Sequence, residues 1–475
     1  MWSERAMLNG DFASTRRAFM AAHAGSLGPL ALAHLASESR AETNRDPLGA
    51  RPGTRQPKAK AVICLFQHGG PSQMDLFDPK PELTRRHGQP HPDKLEVHFH
   101  SQQGKLLSSP FRFHKKGQSG MELSELLPGL GRVADDITLV RSMKTESVDH
   151  EAALRVIHSG KIFPGRPALG AWVLYGLGSP RRELPAYVVL SDPGGLPVDG
   201  TNNWSAGFLP AVYQGTPFRA SGAAVANLET PAGVSPVARR NQLDLLGGLN
   251  ASHWARHPGN AELEARLSHY ELAARMQMSV PEVLDVSGEP EETKRLYGID
   301  NPKSAEYGKR CLLARRLVER GVRFVQVFLS GQPWDTHNKN ADSLRNLCAR
   351  TDQPSAGLVE DLKRRGLLES TIVMWTGEFG RLPISQGADG RDHNRHAFSL
   401  WLAGGGFKAG HAHGATDEFG YASTEKIVRV ADLHATLLHA LGLDHERLGF
   451  QHEGREDTLT DAAVTKARVV GELMA

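Results

Sequence analysis

This chain is constrained most by one recurring unit. A short, almost wholly apolar run ends in glycine or polar residues and is followed by a helical pattern. Residues 59–66 (AKAVICLF) give the clearest example, closed by Gly69-Gly70-Pro71. A run of this length without polar alternation reads as a strand buried on both faces, as in the middle of a parallel sheet. Similar runs lie at 137–140, 187–190 (YVVL), 322–329, 371–376 (TIVMWT) and 399–403. Apolar residues at three-four spacing predict helices over 122–135, 152–158, 260–278, 309–320, 358–368 and 428–441. Strand and helix alternate, which predicts an α/β protein: a three-layer α/β/α sandwich with a mostly parallel central sheet. Residues 192–245, rich in Gly, Pro, Asn and Ala, read as long loops over one end of that sheet.

Composition narrows the function classes. Lys plus Arg (56) and Asp plus Glu (53) nearly balance, for a net charge of +3. Without a basic excess there is no electrostatic footprint for a polyanion, and nucleic acid is not an expected partner. No apolar run of about 18 residues free of charge is present, so no integral membrane segment is expected. The three cysteines, Cys64, Cys311 and Cys348, are too few and too widely spaced for a disulfide framework or a zinc ribbon. A metal site would therefore be built from imidazoles and carboxylates, and 22 histidines make one feasible.

The first 45 residues read as an address and a polar linker. Ser14-Thr15-Arg16-Arg17-Ala18-Phe19-Met20 looks like a twin-arginine signal, followed by a moderately apolar stretch over 18–36. This predicts export to the periplasm or beyond. Residues 44–58 are polar and contain Pro, Gly and Arg, as linkers do. One domain is expected over 59–475, with a loop-rich insertion around 192–300.

In open parallel sheets ligands bind beyond the carboxyl ends of the strands. Polar residues placed just after strands are therefore the candidates. Gln67-His68-Gly69-Gly70 follows the first run, Trp334-Asp335-Thr336-His337-Asn338 follows 322–329, and Gly377-Glu378-Phe379-Gly380-Arg381 follows 371–376. Gly390-Arg391-Asp392-His393-Asn394 precedes 399–403, and Ser147-Val148-Asp149-His150-Glu151 precedes a helix. Taken singly, each has an ordinary reading as a loop turn, a cap or a surface histidine. Their coincidence at strand ends points instead to one shared centre, with donors that suit zinc, manganese or iron.

These stretches resemble the DUF1501 family, uncharacterised secreted proteins that look like a distant branch of the alkaline phosphatase/sulfatase superfamily. The resemblance rests on HGGPSQ and on TGEFGR with GRDHN, and is supported by SVDHEAALRVIHSG (147–160), WDTHNKN (334–340), HGATDEFG (413–420) and DLHATLLHALGLDHE (432–446). It implies an alkaline-phosphatase-like sandwich with a divalent metal (zinc, manganese or calcium) at the carboxyl edge of the sheet. Carried across residue by residue, it implies His68, Asp335, His337, Glu378, Asp392 and His393 as metal ligands, with His150 nearby. Ser147, His150 and Arg381 are then the catalytic candidates. Arg391, Asn394 and Asp417 are the candidates for contacting substrate.

Two departures matter. The superfamily's late Asp-His pair is Glu378-Phe379 here. No cysteine precedes Ala152-Ala153-Leu154, which excludes a formylglycine nucleophile. Two readings follow. The first is an exported metal-dependent hydrolase of sulfate or phosphate esters, acting on a small-molecule or polysaccharide ester. The second keeps the scaffold without the catalysis, as an exported binding or surface-assembly component.

Overall fold

The structure is a computed structural model that describes residues 47–181, 183–219, 233–257 and 261–475. Ala50–Ala475 form one compact unit. The twin-arginine stretch at 14–20 lies outside the described residues. The 50–475 unit carries the sheet and its covering helices.

Its centre is a nine-stranded sheet. In chain order the strands are β1 (Ala61–Phe66), β2 (Ile137–Lys144), β3 (Tyr187–Ser191), β4 (Thr216–Arg219), β5 (Phe324–Val327), β6 (Thr371–Thr376), β7 (Phe398–Ala403), β8 (His411–His413) and β9 (Val428–Arg429). Across the sheet the order is β8-β2-β7-β6-β1-β5-β3-β4, with β9 also on β2. Every pairing is parallel except the two made by β7. Central β1 lies between β5 and β6, Cys64 facing Gln326 on one side and Met374 on the other. All six of its residues are buried, as its unbroken apolar run requires.

Helices cover both faces, giving the three layers. On one face Ile63, Leu65, Val325, Val327 and Val373 join a core with residues of α3 (Ala305–Glu319) and α4 (Asn340–Arg364). On the other lie α1 (His150–Ser159), α2 (Leu169–Leu177) and α5 (Val430–Ala440). Phe66 packs there against His158 of α1, ring centroids 4.5 Å apart. Each fully buried Leu, Val or Phe side chain contributes roughly 1.5–3 kcal/mol, so these two cores hold the sheet rigidly. Above the carboxyl edge a hairpin, Gly380–Gln386 with Gly390–Asn394, takes Gln103–Leu106 as a third strand. It rests on a satellite core of Met74, Leu83, Leu95, Leu106, Leu382, Ile384 and Phe419.

Three local expectations are corrected. Residues 122–135 are not one helix. Met121 and Leu123 are buried at a period of two in the strand Met121–Ser124, and Pro128 opens a separate short helix, Pro128–Arg132. Helix α4 begins at Asn340 rather than 358. It passes through Pro354, and the hydroxyls of Thr351 and Ser355 donate to the carbonyls of Leu347 and Thr351 beside it. A helix, Pro236–Ala255, begins inside the stretch read as loops to 245, with Ser235 as its N-cap. Residues 390–394, ahead of β7, form a strand of their own.

Candidate metal centre

Four side chains converge at the carboxyl edge of the sheet. His150, Asp335, His337 and His393 offer ligand atoms that all lie within 4.8 Å of one another, a group that could hold a metal ion. They come from three elements. His150 is the first residue of α1, whose start is fixed by Asp149 accepting from the Ala152 amide at 3.1 Å. Asp335 and His337 lie in the loop after β5, and His393 lies on the hairpin before β7.

Asp335 Oδ1 is the hub. It lies 2.9 Å from His337 Nε2, 3.2 Å from His393 Nε2 and 3.4 Å from His150 Nε2. Four ligands held about 2.0–2.1 Å from a tetrahedral zinc are themselves about 3.3 Å apart, so this spacing fits such an ion. The other ring nitrogens carry the stronger test. His150 Nδ1 donates to Glu378 Oε1 at 2.7 Å, His393 Nδ1 donates to the Val148 carbonyl at 2.6 Å, and His337 Nδ1 donates to Gln386 Oε1. With every Nδ1 proton engaged outward, all three Nε2 lone pairs face the same point. That is how metal-ligating imidazoles are held.

The charges agree. Burial works against ionisation of Asp335, yet hydrogen bonds from His150, His337 and His393 and the Arg381 charge hold it far below the usual carboxylate range. Burial disfavours the imidazolium of His150, but Asp335 and Glu378 lift it to about 9. Burial pushes His393 down to about 4, against the pull of Asp335. A cation is attracted here, and a proton on His150 stands where a metal could replace it.

The motifs serve this centre mostly from behind. Glu378, fully buried, accepts from the Gly69 amide at 2.8 Å and orients His150. Phe379 packs its ring against His150 and His393, at 4.8 and 4.6 Å. Arg381 is fully buried and donates to Asp335 Oδ1 at 2.6 Å and to the Gly70 and Arg391 carbonyls at 2.9 Å. It braces the hub. Gly69, at φ +110°, allows the first loop to pass the Asp335 loop, because a Cβ there would lie 2.3 Å from the Asp335 nitrogen.

The remaining candidates fall outside the converging group. His68 is fully buried beside Phe66 and Phe328, with no partner on either ring nitrogen. Asp392 accepts from the backbone amides of His98, Phe99 and His393, so it fixes loops rather than offering itself to an ion. Arg391 is fully buried in an ion pair with Asp75 at 2.7 Å and does not face the centre. Asn394 donates to the Tyr421 carbonyl, and Asp417 accepts from the amides of Phe419, Tyr421 and Ala422, so both brace a neighbouring turn. Ser147 Oγ accepts from the Asp149 amide at 3.0 Å, ahead of the α1 cap.

Sequence reasoning missed two contributors. Gln332 donates to Asp335 Oδ2 at 2.9 Å, and Gln386 holds His337. It also passed over the segment 96–102. There His98 stacks on His393 at 5.1 Å and Phe99 meets His337 edge-on at 5.2 Å. The signal was four histidines in fourteen residues, at 87, 91, 98 and 100.

A family model described as a protein of unknown function (DUF1501) matches residues 59–474, and the chain belongs to that family. Among curated proteins, no relative matches the sequence. Solved structures with some likeness include a phosphonate monoester hydrolase from Silicibacter pomeroyi. It has 10% identity and a TM-score of 0.37, covering 87% of this chain and 76% of that one. A sulfatase, PsFucS1 from Pseudoalteromonas sp., has 12% identity and a TM-score of 0.33 over 86% and 70% of the two chains. An alkaline phosphatase from the Antarctic bacterium TAB5 has 10% identity and a TM-score of 0.31 over 82% and 99%. Likeness this distant transfers no residue's role. No helix among the described residues is long and apolar enough to cross a membrane.

Proposed function

We propose that this protein is a metal-dependent hydrolase of sulfate or phosphate esters, exported by the twin-arginine route. One observation carries the reading: three imidazoles with outward-bonded Nδ1 protons turn their Nε2 atoms toward Asp335 Oδ1. A divalent ion held by His150, Asp335, His337 and His393 would polarise an ester oxygen and lower the pKa of water. Zinc, manganese or calcium is the class of ion proposed, and nitrogen-rich donors favour the first two over calcium. The chain's own residues do the positioning. Glu378 keeps His150 in its tautomer, and Arg381 and Gln332 hold the two oxygens of Asp335.

Elemental analysis of gently purified protein tests this reading. The wild type should carry a stoichiometric divalent metal and hydrolyse an aryl sulfate or aryl phosphate, and a chelator should abolish both properties. Asp335→Ala with His337→Ala should carry no metal. A wild type that is empty, or that keeps full activity after chelation, would contradict it. Export is checked by replacing Arg16 and Arg17 with lysine, which should leave the chain in the cytoplasm.

A second reading keeps the metal and drops the catalysis, making the protein a binding or surface-assembly component. It is favoured by the make-up of the converging group, in which no hydroxyl or thiol stands among the four residues. On that reading metal is present, while wild type and Glu378→Ala are equally inert toward every ester.

A further inference from the structure

We infer that a second site, at the opposite edge of the sheet from the metal centre, binds a small organic dianion with an apolar body, of the organic phosphate class. The inference does not depend on the hydrolase reading.

A cavity of about 650 Å³ lies at the amino ends of β1 and β6, where Ala61 and Thr371 help to line it. A six-residue strand is about 20 Å long, so this place is separate from the cluster at the carboxyl ends. Much of the lining is apolar, with Pro57, Ala59, Leu177, Val318, Val322 and Leu441. The charged lining is almost all of one sign. Arg51, Arg55, Lys60, Arg181, Arg320 and Arg323 stand against a single acid, Glu319. In a chain with 56 basic and 53 acidic residues, such an excess is local. Glu319 is moreover engaged elsewhere, with Arg315 at 2.6 Å and Arg365 at 3.5 Å.

The protein's own groups offset only part of this charge. Arg55 pairs with Asp444 at 3.1 Å and Arg320 with Glu282 at 2.9 Å. The carboxyl-terminal ends of α2, α3, α4 and α5 meet here as well, through Leu177, Glu319, Leu367 and Leu441. Each such end carries about half a negative charge, so four of them offset about two of the four cations that remain. About two positive charges are left over. Arg323 shows the consequence. It is half-buried and donates to the carbonyls of Gly178 at 2.6 Å, Lys60 at 3.3 Å and Leu177 at 3.5 Å. Among the described residues no carboxylate reaches it, and burial pushes its pKa down. A half-buried guanidinium held by carbonyls alone is stabilised by an anion beside it. Arginine forks match phosphate oxygens in pairs, and the volume lies in the small-ligand range of roughly 300–1,000 Å³. The apolar lining adds the requirement for an apolar body.

Calorimetry with 1-naphthylphosphonate tests this at about pH 8, where the probe is doubly charged and has no ester bond to cleave. It is titrated into the wild type and into the Asp335→Ala/His337→Ala protein, which lacks two of the metal-centre residues. Both should bind it at a common site, at least about tenfold more tightly than 1-naphthalenesulfonamide or inorganic phosphate. Added salt should weaken the binding. Lys60 and Arg181 are exposed, so Lys60→Glu with Arg181→Glu should fold, as circular dichroism can show. That variant should bind at least about tenfold more weakly. Lys309→Glu with Arg345→Glu makes the same charge change near the starts of α3 and α4 and should leave affinity unchanged. Absence of binding in the Asp335→Ala/His337→Ala protein would overturn the inference. So would equal affinity for the sulfonamide or for inorganic phosphate, unchanged affinity in the Lys60/Arg181 variant, or an equal loss in the Lys309/Arg345 variant.

Discussion

The hairpin over the sheet edge joins two buried charged clusters that differ in one respect. Around Arg391 the signs close on themselves. Its guanidinium meets both oxygens of Asp75, whose Oδ2 also accepts from Ser72 at 2.6 Å and Asn340 at 3.0 Å. Around Asp335, three imidazole nitrogens face a carboxylate oxygen that Arg381 also reaches. The first cluster is complete with protein atoms alone. The second has lone pairs turned toward one another, which is favourable only with a proton or a metal ion between them. A buried charged cluster becomes a candidate site when its acceptors outnumber the donors that can reach them.

The sharpest way to break this contrast is to remove one member from each cluster. Asp335→Ala should abolish bound metal and lower ester hydrolysis by at least about a thousandfold, because several kcal/mol of charge stabilisation goes with the ion. Its fold, followed by circular dichroism, should survive. Asp75→Ala should do the reverse. Leaving Arg391 buried and unpaired costs about 3–5 kcal/mol, so chemical denaturation should show a large loss of stability. If Asp75→Ala instead lost metal without losing stability, the two clusters would not be distinct.

Smaller effects sharpen the picture. Glu378→Gln removes the charge behind His150 while keeping its shape, and metal affinity should fall about 10–100-fold in a competition titration. Saturating metal should raise the melting temperature. At a free concentration of about 100 times Kd the added stability is about 2.7 kcal/mol, and this gain should vanish in the Asp335→Ala variant.

The last effect concerns acid. Burial pushes His158 down to about 3 and His434 down to about 4. In the unfolded chain both titrate near 6.5. Between those values the unfolded chain binds more protons, so stability is full above about pH 6.5 and declines as pH falls toward 4. Each histidine accounts for about 2 kcal/mol at pH 5. Denaturation at pH 7 and pH 5 should show the loss, and His434→Leu should reduce it.

Much of this was legible in the sequence, and the rest was not for physical reasons. The apolar runs at 61–66 and 371–376 announced buried strands because nothing polar interrupts them. Asp335 and His337 could be picked out because they sit just beyond a strand end, and His393 because it lies just ahead of one. His150 was only half visible, since its role depends on how α1 is aimed. Glu378, Asp392 and Arg391 carry the right chemistry for ligands or substrate contacts but act one step behind the centre. No residue type distinguishes a ligand from the group that orients it. Pro354 and the Met121–Leu123 alternation misled for a related reason: hydroxyl back-bonding and a period of two are settled by tertiary neighbours.

The reversal of β7 has a consequence for wiring. The chain leaves β6 at the upper rim, makes its hairpin there and descends through β7 without crossing the sheet. A parallel β7 would need a crossover of a dozen or more residues, and the hairpin would lose its place above the strands. One uninterrupted stretch, 377–394, thus delivers the prop for His150, the clamp for Asp335 and the imidazole of His393. Insertions in that stretch should disturb all three together.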